Sequence, residues 1–385
     1  MSTGRASVAV LVRELGGAGS VPAIALRQAG LLSADFEVRV VSDSVSDVAS
    51  EVPILSVRPP GLTWLHRFAH APRELVSAER IVRRTLKLAR DGRLDAVLFH
   101  THTLAAMGGG RLRRLGVATV LVAHGDVRLR PPGMHPPMLA ALYRWSNPRA
   151  YRAVDRVIAL SKQFAALAEA DAGAGKVRIL PCPVAGPWPA VPVVRPPRFP
   201  GSPVHVGFVG RFAREKGLAA LIEAAAVLLA RGLKVRVTLA GDGPERGKLE
   251  GLAAARALGE RLRFVGWLPE SGVARLLSEL DLFCMPSISE NQAVAAQEAL
   301  LRGVPVVGSR VGGLADYVRP GVDGELAAPD DLDSLVEALE RAVHRLERGD
   351  YRIPDPRWME QFSPESHRRE LGGVLNELIG SSGRG

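Results

Sequence analysis

Residues 7–12 form a nearly unbroken apolar run, and a glycine-rich loop follows at 16–19. Residues 20–32 then carry apolar side chains at helical spacing, before a second apolar run at 36–41. That succession predicts strand, loop, helix, strand. Further apolar runs at 96–99, 118–123, 156–160 and 177–180 predict more strands with helices between them. A chain that alternates strand and helix in this way builds a parallel, doubly wound sheet, because each crossover has to pass over a sheet face.

Nine prolines fall within residues 181–203, at 181, 183, 187, 189, 192, 196, 197, 200 and 203. Each lacks an amide donor and fixes its φ, so this stretch is neither helix nor central strand. The rhythm restarts beyond it, with strands expected at 204–209, 234–240, 261–265, 281–285 and 304–308. Helices are expected at 218–231, 244–258, 270–280, 293–302 and 331–345. The fold class is therefore α/β, with two Rossmann-like halves. An N-terminal domain spans 1–185, a proline-rich linker 186–203, a C-terminal domain 204–355 and a closing segment 356–385. Ligands of such sheets bind beyond the carboxyl ends of the strands, so two facing halves predict a site in the cleft between them.

Composition narrows the function classes. Of 385 residues 47% are apolar and only two, Cys182 and Cys284, are cysteines, which excludes disorder and a disulfide scaffold. Two cysteines suit a reducing, cytoplasmic setting. No run approaches the ~18 apolar residues of a membrane span, and neither a transmembrane helix nor a signal peptide is expected. Charge adds an asymmetry: residues 1–190 hold 25 Lys/Arg against 14 Asp/Glu, whereas residues 191–385 hold 25 against 26. With 5% aromatic residues and no recognition motif, nucleic acid is not the expected partner. An anionic membrane surface or an anionic small substrate suits the basic N-terminal half.

The strongest chemical signal runs from Pro286 to Leu300, PSISENQAVAAQEAL. A small polar loop leaves a strand, and a helix starts near Ala293 and stops at Gly303. Glu298 sits among apolar neighbours in that helix, and a buried carboxylate needs donors, which a ribose diol would supply. Glu290 lies just ahead of the helix N-terminus, with the amides of Asn291, Gln292 and Ala293, where the helix dipole favours negative charge. A second segment, Val209-Gly210-Arg211-Phe212-Ala213-Arg214-Glu215-Lys216-Gly217, follows the first strand of the C-terminal half. Its glycines permit close backbone approach, and Arg211 with Lys216 suits a diphosphate: the guanidinium grips two oxygens and the ammonium acts as a point charge.

These two segments, with Leu239-Ala240-Gly241-Asp242-Gly243-Pro244, Phe264-Val265-Gly266-Trp267-Leu268 and Gly303-Val304-Pro305 through Gly312-Gly313, resemble retaining glycosyltransferases of family 4, which have the GT-B fold. The resemblance covers residues 7–380. It implies transfer of a sugar from a nucleotide-diphosphate sugar, with uridine diphosphate as the expected carrier, to an acceptor hydroxyl. Retention of anomeric configuration is implied, with no cofactor and no obligatory metal. Carried over, Arg211 and Lys216 hold the diphosphate and Glu298 the ribose. Glu290 and the amides of Asn291, Gln292 and Ala293 hold the donor sugar, while the backbone at Gly210 and at Val265, Gly266 and Trp267 meets phosphate and base. In the N-terminal half, Gly16 and Gly17 resemble the family's glycine loop, and His124 in Ala123-His124-Gly125-Asp126 resembles its cleft histidine, placed to bond the donor sugar or stabilise developing charge. Between the glutamates the family carries Gly-aromatic-Gly where this chain has Asn291-Gln292-Ala293, and Cys182-Pro183 stands where the family has Asn-Gly.

His100-Thr101-His102 offers no third ligand, so no metal site is expected there. Asp331-Leu332-Asp333 follows Pro329 and reads as a helix cap. Acceptor contacts are expected in the N-terminal half, from Trp64 and His66 in the loop at 58–73 and from Asp126, Arg128 and Arg130 after the histidine. Arg80, Arg83, Arg84, Lys87 and Arg90 recur at helical spacing and give a face suited to peripheral contact with anionic lipid at the inner side of the membrane. The segment 358–378 resembles the family's last helix, which crosses back onto the N-terminal domain. A sugar-nucleotide epimerase, a phosphorylase, or a non-catalytic membrane-associated relative are the alternatives that share this fold.

Overall fold

The computed structural model describes residues 4–15, 20–46, 48–57, 70–131, 133–184, 201–351 and 355–382. Gly16, Gly17, Trp64, His66 and the proline-rich stretch at 185–200 lie outside the described residues. The chain divides into two compact units, residues 1–183 with 364–385, and residues 184–363.

The first unit contains, in order, β1 (Ser7–Leu11), β2 (Glu14–Leu15), α1 (Ser20–Leu32), β3 (Glu37–Ser42), β4 (Ser44–Val45) and β5 (Ile54–Ser56). Next come α2 (His70–Arg90), β6 (Ala96–Phe99), α3 (His102–Arg113), β7 (Ala118–Ala123), α4 (Pro137–Ala153), β8 (Arg156–Ala159), α5 (Lys162–Ala172) and β9 (Val177–Ile179). Seven strands form one sheet in the order β5-β3-β1-β6-β7-β8-β9, each pair parallel. Every residue of β1, β6 and β7 is buried, as expected of central parallel strands covered on both faces.

The second unit holds β10 (Val204–Val209), α6 (Leu218–Ala230), β11 (Val235–Ala240), α7 (Arg246–Ala255), β12 (Leu262–Gly266), α8 (Glu270–Glu279) and β13 (Leu282–Met285). It continues with α9 (Val294–Leu301), β14 (Val306–Ser309), α10 (Gly312–Tyr317), β15 (Gly324–Ala327), α11 (Leu332–Arg348) and α12 (Pro356–Met359). Its six parallel strands run β12-β11-β10-β13-β14-β15. Asp331 caps α11 by accepting from the Ser334 amide at 3.0 Å.

Three features depart from the pattern read off the sequence. β15 carries a glutamate, Glu325, that is 5% exposed, and Arg341 and Arg345 of α11 neutralise it. A charged residue in a four-residue strand hides the apolar signal. The edge strand β5 is three residues long and half-buried, too short for periodicity to mark. The closing segment is not one helix. Met359 and Phe362 pack into the second unit's core, and α13 (Pro364–Ser382) starts afresh at a proline, a residue that suits a first helical turn and not an interior one.

α13 belongs to the first unit, where Leu371, Val374 and Leu375 join Ile24, Ala25 and Phe36 in one apolar cluster. His367, fully buried, donates from Nδ1 to the Pro181 carbonyl at 2.8 Å and accepts at Nε2 from the Gln28 amide at 2.8 Å. Arg368 pairs with Asp35 at 2.6 Å. Because Leu371 is 0% exposed, Leu371→Ala removes packed methyl groups and leaves a cavity. Unfolding in denaturant is expected to show a loss of about 2–5 kcal/mol.

Candidate functional site

Strand order locates the site in each unit. In the second sheet the chain runs from β10 outward through β11 to β12, then returns to the other side of β10 with β13. The order therefore reverses between β10 and β13, the place where open α/β sheets bind ligands beyond the carboxyl ends of their strands. Those loops are 210–217 and 286–293, the two segments singled out in the sequence. The reversal in the first sheet lies between β1 and β6, next to β7 and His124.

The two loops of the second unit are tied together. The Ile288 amide donates to the Glu215 carbonyl at 2.8 Å, and Lys216 forms an ion pair with Glu290. Both side chains are largely buried, at 21% and 11% exposure. Glu290 also accepts from its neighbour's amide, Asn291, at 3.0 Å and from Ser287 Oγ at 3.4 Å. Arg211 is half-exposed and pairs with Glu215 at 2.7 Å. The sequence brings these cations to one place; that each already holds a carboxylate emerges only from the structure. Two glycines make the close loop contacts sterically feasible. A Cβ on Gly217 (φ 65°) would lie 2.0 Å from the Pro286 carbonyl oxygen, and one on Gly312 (φ 48°) 1.8 Å from that of Glu290.

The turn into α9 is strained. Ala293 adopts φ 58°, ψ 61°, the left-handed region that a Cβ disfavours, at the place where the family's run ends in glycine. Tyr317 stabilises it by donating its buried hydroxyl to the carbonyls of Gln292 and, at 2.9 Å, Ala293. Glu298 is half-buried, less enclosed than its apolar neighbours suggested, because it shares the open face of α9 with Val294 and Ala295. The enclosed polar groups are Gln292 and Gln297, joined by an Nε2 to Oε1 bond of 2.8 Å. Nor do the three loop amides stand open together, since that of Asn291 is taken by Glu290. Gly266 (φ 72°) accepts from the Gly241 amide at 2.7 Å, and beside it Trp267 is 61% exposed.

In the first unit His124 follows β7 and is half-buried. Burial, reinforced by His102, holds its imidazole neutral down to about 3. His100 and His102 do not act as a pair: the first bonds His124 and the second bonds the Tyr151 hydroxyl at 3.1 Å. Asp126 is 1% exposed and already engaged, by Arg128 at 2.7 Å and by the Tyr151 hydroxyl at 3.0 Å, so it braces the loop rather than facing a ligand. Arg128 also pairs with Asp171 at 2.7 Å, and Arg130 donates to His135 at 3.2 Å. Sequence reasoning missed Glu74, which is buried and receives Thr103 at 2.6 Å, Tyr143 at 3.0 Å and Arg13 at 3.3 Å. Its three partners come from α3, α4 and the loop after β1, and no local motif marks it.

The turn geometry yields opposite expectations for two small substitutions. Ala293→Gly relieves the left-handed strain and is expected to hold or raise stability by up to about 1 kcal/mol, net of glycine's entropy. Gly312→Ala drives a methyl into the Glu290 carbonyl and is expected to lower the melting temperature by several degrees, read by calorimetry.

Residues 194–351 match glycosyl transferases group 1, and residues 25–185 match Glycosyltransferase Family 4. The chain is 33% identical over 217 residues to a 2-deoxystreptamine glucosyltransferase of Streptomyces kanamyceticus, a match covering 54% of this chain and 55% of that relative. It thus spans about half the length of that relative. It is 30% identical to the uncharacterized glycosyltransferase YqgM of Bacillus subtilis (strain 168), over 68% of this chain and 73% of that one. Among solved structures, HepE of Anabaena in complex with UDP and glucose superposes with a TM-score of 0.70 at 18% identity, over 97% of this chain and all of that one. Two parallel-sheet α/β units of this order are the GT-B fold, and the chain belongs to the glycosyl transferases of group 1.

Proposed function

We propose that this chain transfers a sugar from a uridine-diphosphate sugar to an acceptor hydroxyl, with retention of anomeric configuration and without an obligatory metal. The observation that carries the reading is the Lys216–Glu290 pair at the strand-order reversal, with Arg211 beside it. A diphosphate offers Lys216 and Arg211 more negative charge than their carboxylate partners do, and the two cations meet the charge left on the departing nucleotide. Glu290, held by Lys216, Ser287 and the Asn291 amide, is an orienting acceptor for sugar hydroxyls rather than an attacking group. In this reading the acceptor hydroxyl attacks from the face the diphosphate leaves, and the departing phosphate oxygen takes its proton. His124, uncharged, contributes a hydrogen bond to the donor sugar or to the charge that develops on transfer. The complex of HepE with UDP and glucose supports a uridine carrier.

The charge of the first 190 residues, 25 Lys/Arg against 14 Asp/Glu, favours a neutral or anionic acceptor over a cationic one. The same charge supports peripheral membrane contact through α2. A groove of about 490 Å³ there is lined by Leu55, Val57, Arg80, Arg83, Arg84 and Lys87. The chain is expected to sediment with phosphatidylglycerol vesicles and not with phosphatidylcholine ones, and to lose that binding at high salt; equal partition into both would refute the contact.

The two glutamates separate by assay. Glu298→Ala removes the ribose contact and is expected to weaken UDP binding about tenfold in calorimetry, the equivalent of one hydrogen bond to a charged group. Glu290→Ala is expected to leave UDP affinity within about threefold while cutting hydrolysis of UDP-glucose by about 100-fold or more. Identical behaviour of the two variants would refute this division.

A further inference from the structure

His100 and His124 stand just beyond the ends of the neighbouring strands β6 and β7. His100 Nδ1 lies 2.8 Å from His124 Nε2. The ring planes are inclined by only 23° with centroids 5.0 Å apart, so the two imidazoles meet edge to edge in nearly one plane, the geometry of an N–H···N hydrogen bond. His100 is 2% exposed, and its other nitrogen, Nε2, is buried with no hydrogen-bond partner among the described residues.

Burial keeps both rings neutral, which leaves two ways to place the shared proton. If His124 donates, His100 must carry its proton on Nε2, and a buried N–H is left without an acceptor. If His100 donates from Nδ1, only a lone pair is left bare. Orphaned buried donors are the rarer and costlier defect, so the second arrangement is preferred. A neutral imidazole whose Nε2 accepts carries its own proton on Nδ1. His102, whose Nε2 donates to Tyr151, is fixed in the opposite tautomer by the same bookkeeping, because the Tyr151 hydroxyl is spent on Asp126.

We propose that His100 is a positioning residue that locks His124 in its Nδ1–H tautomer, so that His124 meets its ligand as a hydrogen-bond donor and not as a base. The ligand half of this inference rests on the function proposed above; the tautomer half does not. It follows that His124 bonds an oxygen that carries lone pairs or gains negative charge, and that the buried His100 controls whether it can.

The test uses the full chain labelled with [15N]histidine, with long-range proton–nitrogen correlation spectra assigned by comparison with His100 and His124 variants. In the native chain His124 is expected to show a protonated Nδ1 and an unprotonated Nε2. His100→Phe keeps a buried ring but offers no donor, and is expected to release His124 into a mixture of tautomers. The same variant should lower kcat for UDP-glucose hydrolysis between about 10- and 100-fold, with KM within about twofold, because the group that orients His124 is lost. His100→Asn, whose amide reaches the same position as Nδ1–H, is expected to restore the tautomer and most of kcat. A native His124 protonated on Nε2 overturns the proposal, as do unchanged His124 nitrogen shifts in His100→Phe. If His100→Phe fails to fold, the native spectrum and the Asn variant decide the matter. Should the tautomer respond as expected while His124→Ala hydrolyses UDP-glucose normally, the pairing is upheld and the function assigned to His124 falls.

Discussion

The ion pair between Lys216 and Glu290 is the contact on which the candidate donor site depends. It joins the loop after β10 to the loop after β13 at the point where strand order reverses. An unpaired ammonium or carboxylate enclosed to this degree would cost several kcal/mol, so each group holds the other in place. Within the pair the two opposite charges offset each other. Arg211 and Glu215 repeat the device at the rim, where exposure makes the pair weak.

Backbone packing around that pair is tight enough to dictate residue type. Gly217 and Gly312, like Gly241 and Gly243, are positions where a backbone carbonyl occupies the space of a side chain. Ala293 is the exception, a left-handed alanine held by Tyr317 and packed at 6% exposure. Tyr317 in turn packs its ring against Phe362, and the Phe362 carbonyl accepts from the Val184 amide, so the residues flanking both chain crossings of the second unit anchor in the core beneath the donor loop.

Much of this was legible in the sequence, because buried parallel strands are apolar throughout and their loops are rich in glycine. The central strands β1, β6, β7, β10 and β13 were readable for that reason, as were Arg211, Lys216, Glu290 and His124, which sit in loops directly after strand ends. What stayed hidden depends on partners distant in the chain. Glu325 within β15 is intelligible only beside Arg341 and Arg345. Glu74 needs Arg13, Thr103 and Tyr143 to explain its burial. The half-exposure of Glu298 depends on which side of α9 the sheet covers, and the break at Pro364 on where the second unit's core ends. The His100–His124 bond belongs to the same class, since periodicity does not reveal which strand ends are neighbours.

Lys216 and Arg211, fixed cations of the second unit, are proposed to form a nucleoside-diphosphate site. Calorimetric titration of the chain with UDP, GDP and ADP, each with and without a chelator, tests it most directly. UDP is expected to bind saturably, with an affinity that the chelator leaves unchanged and that Lys216→Met weakens at least tenfold. Binding that vanishes with the chelator, or that is indifferent to Lys216, would contradict it.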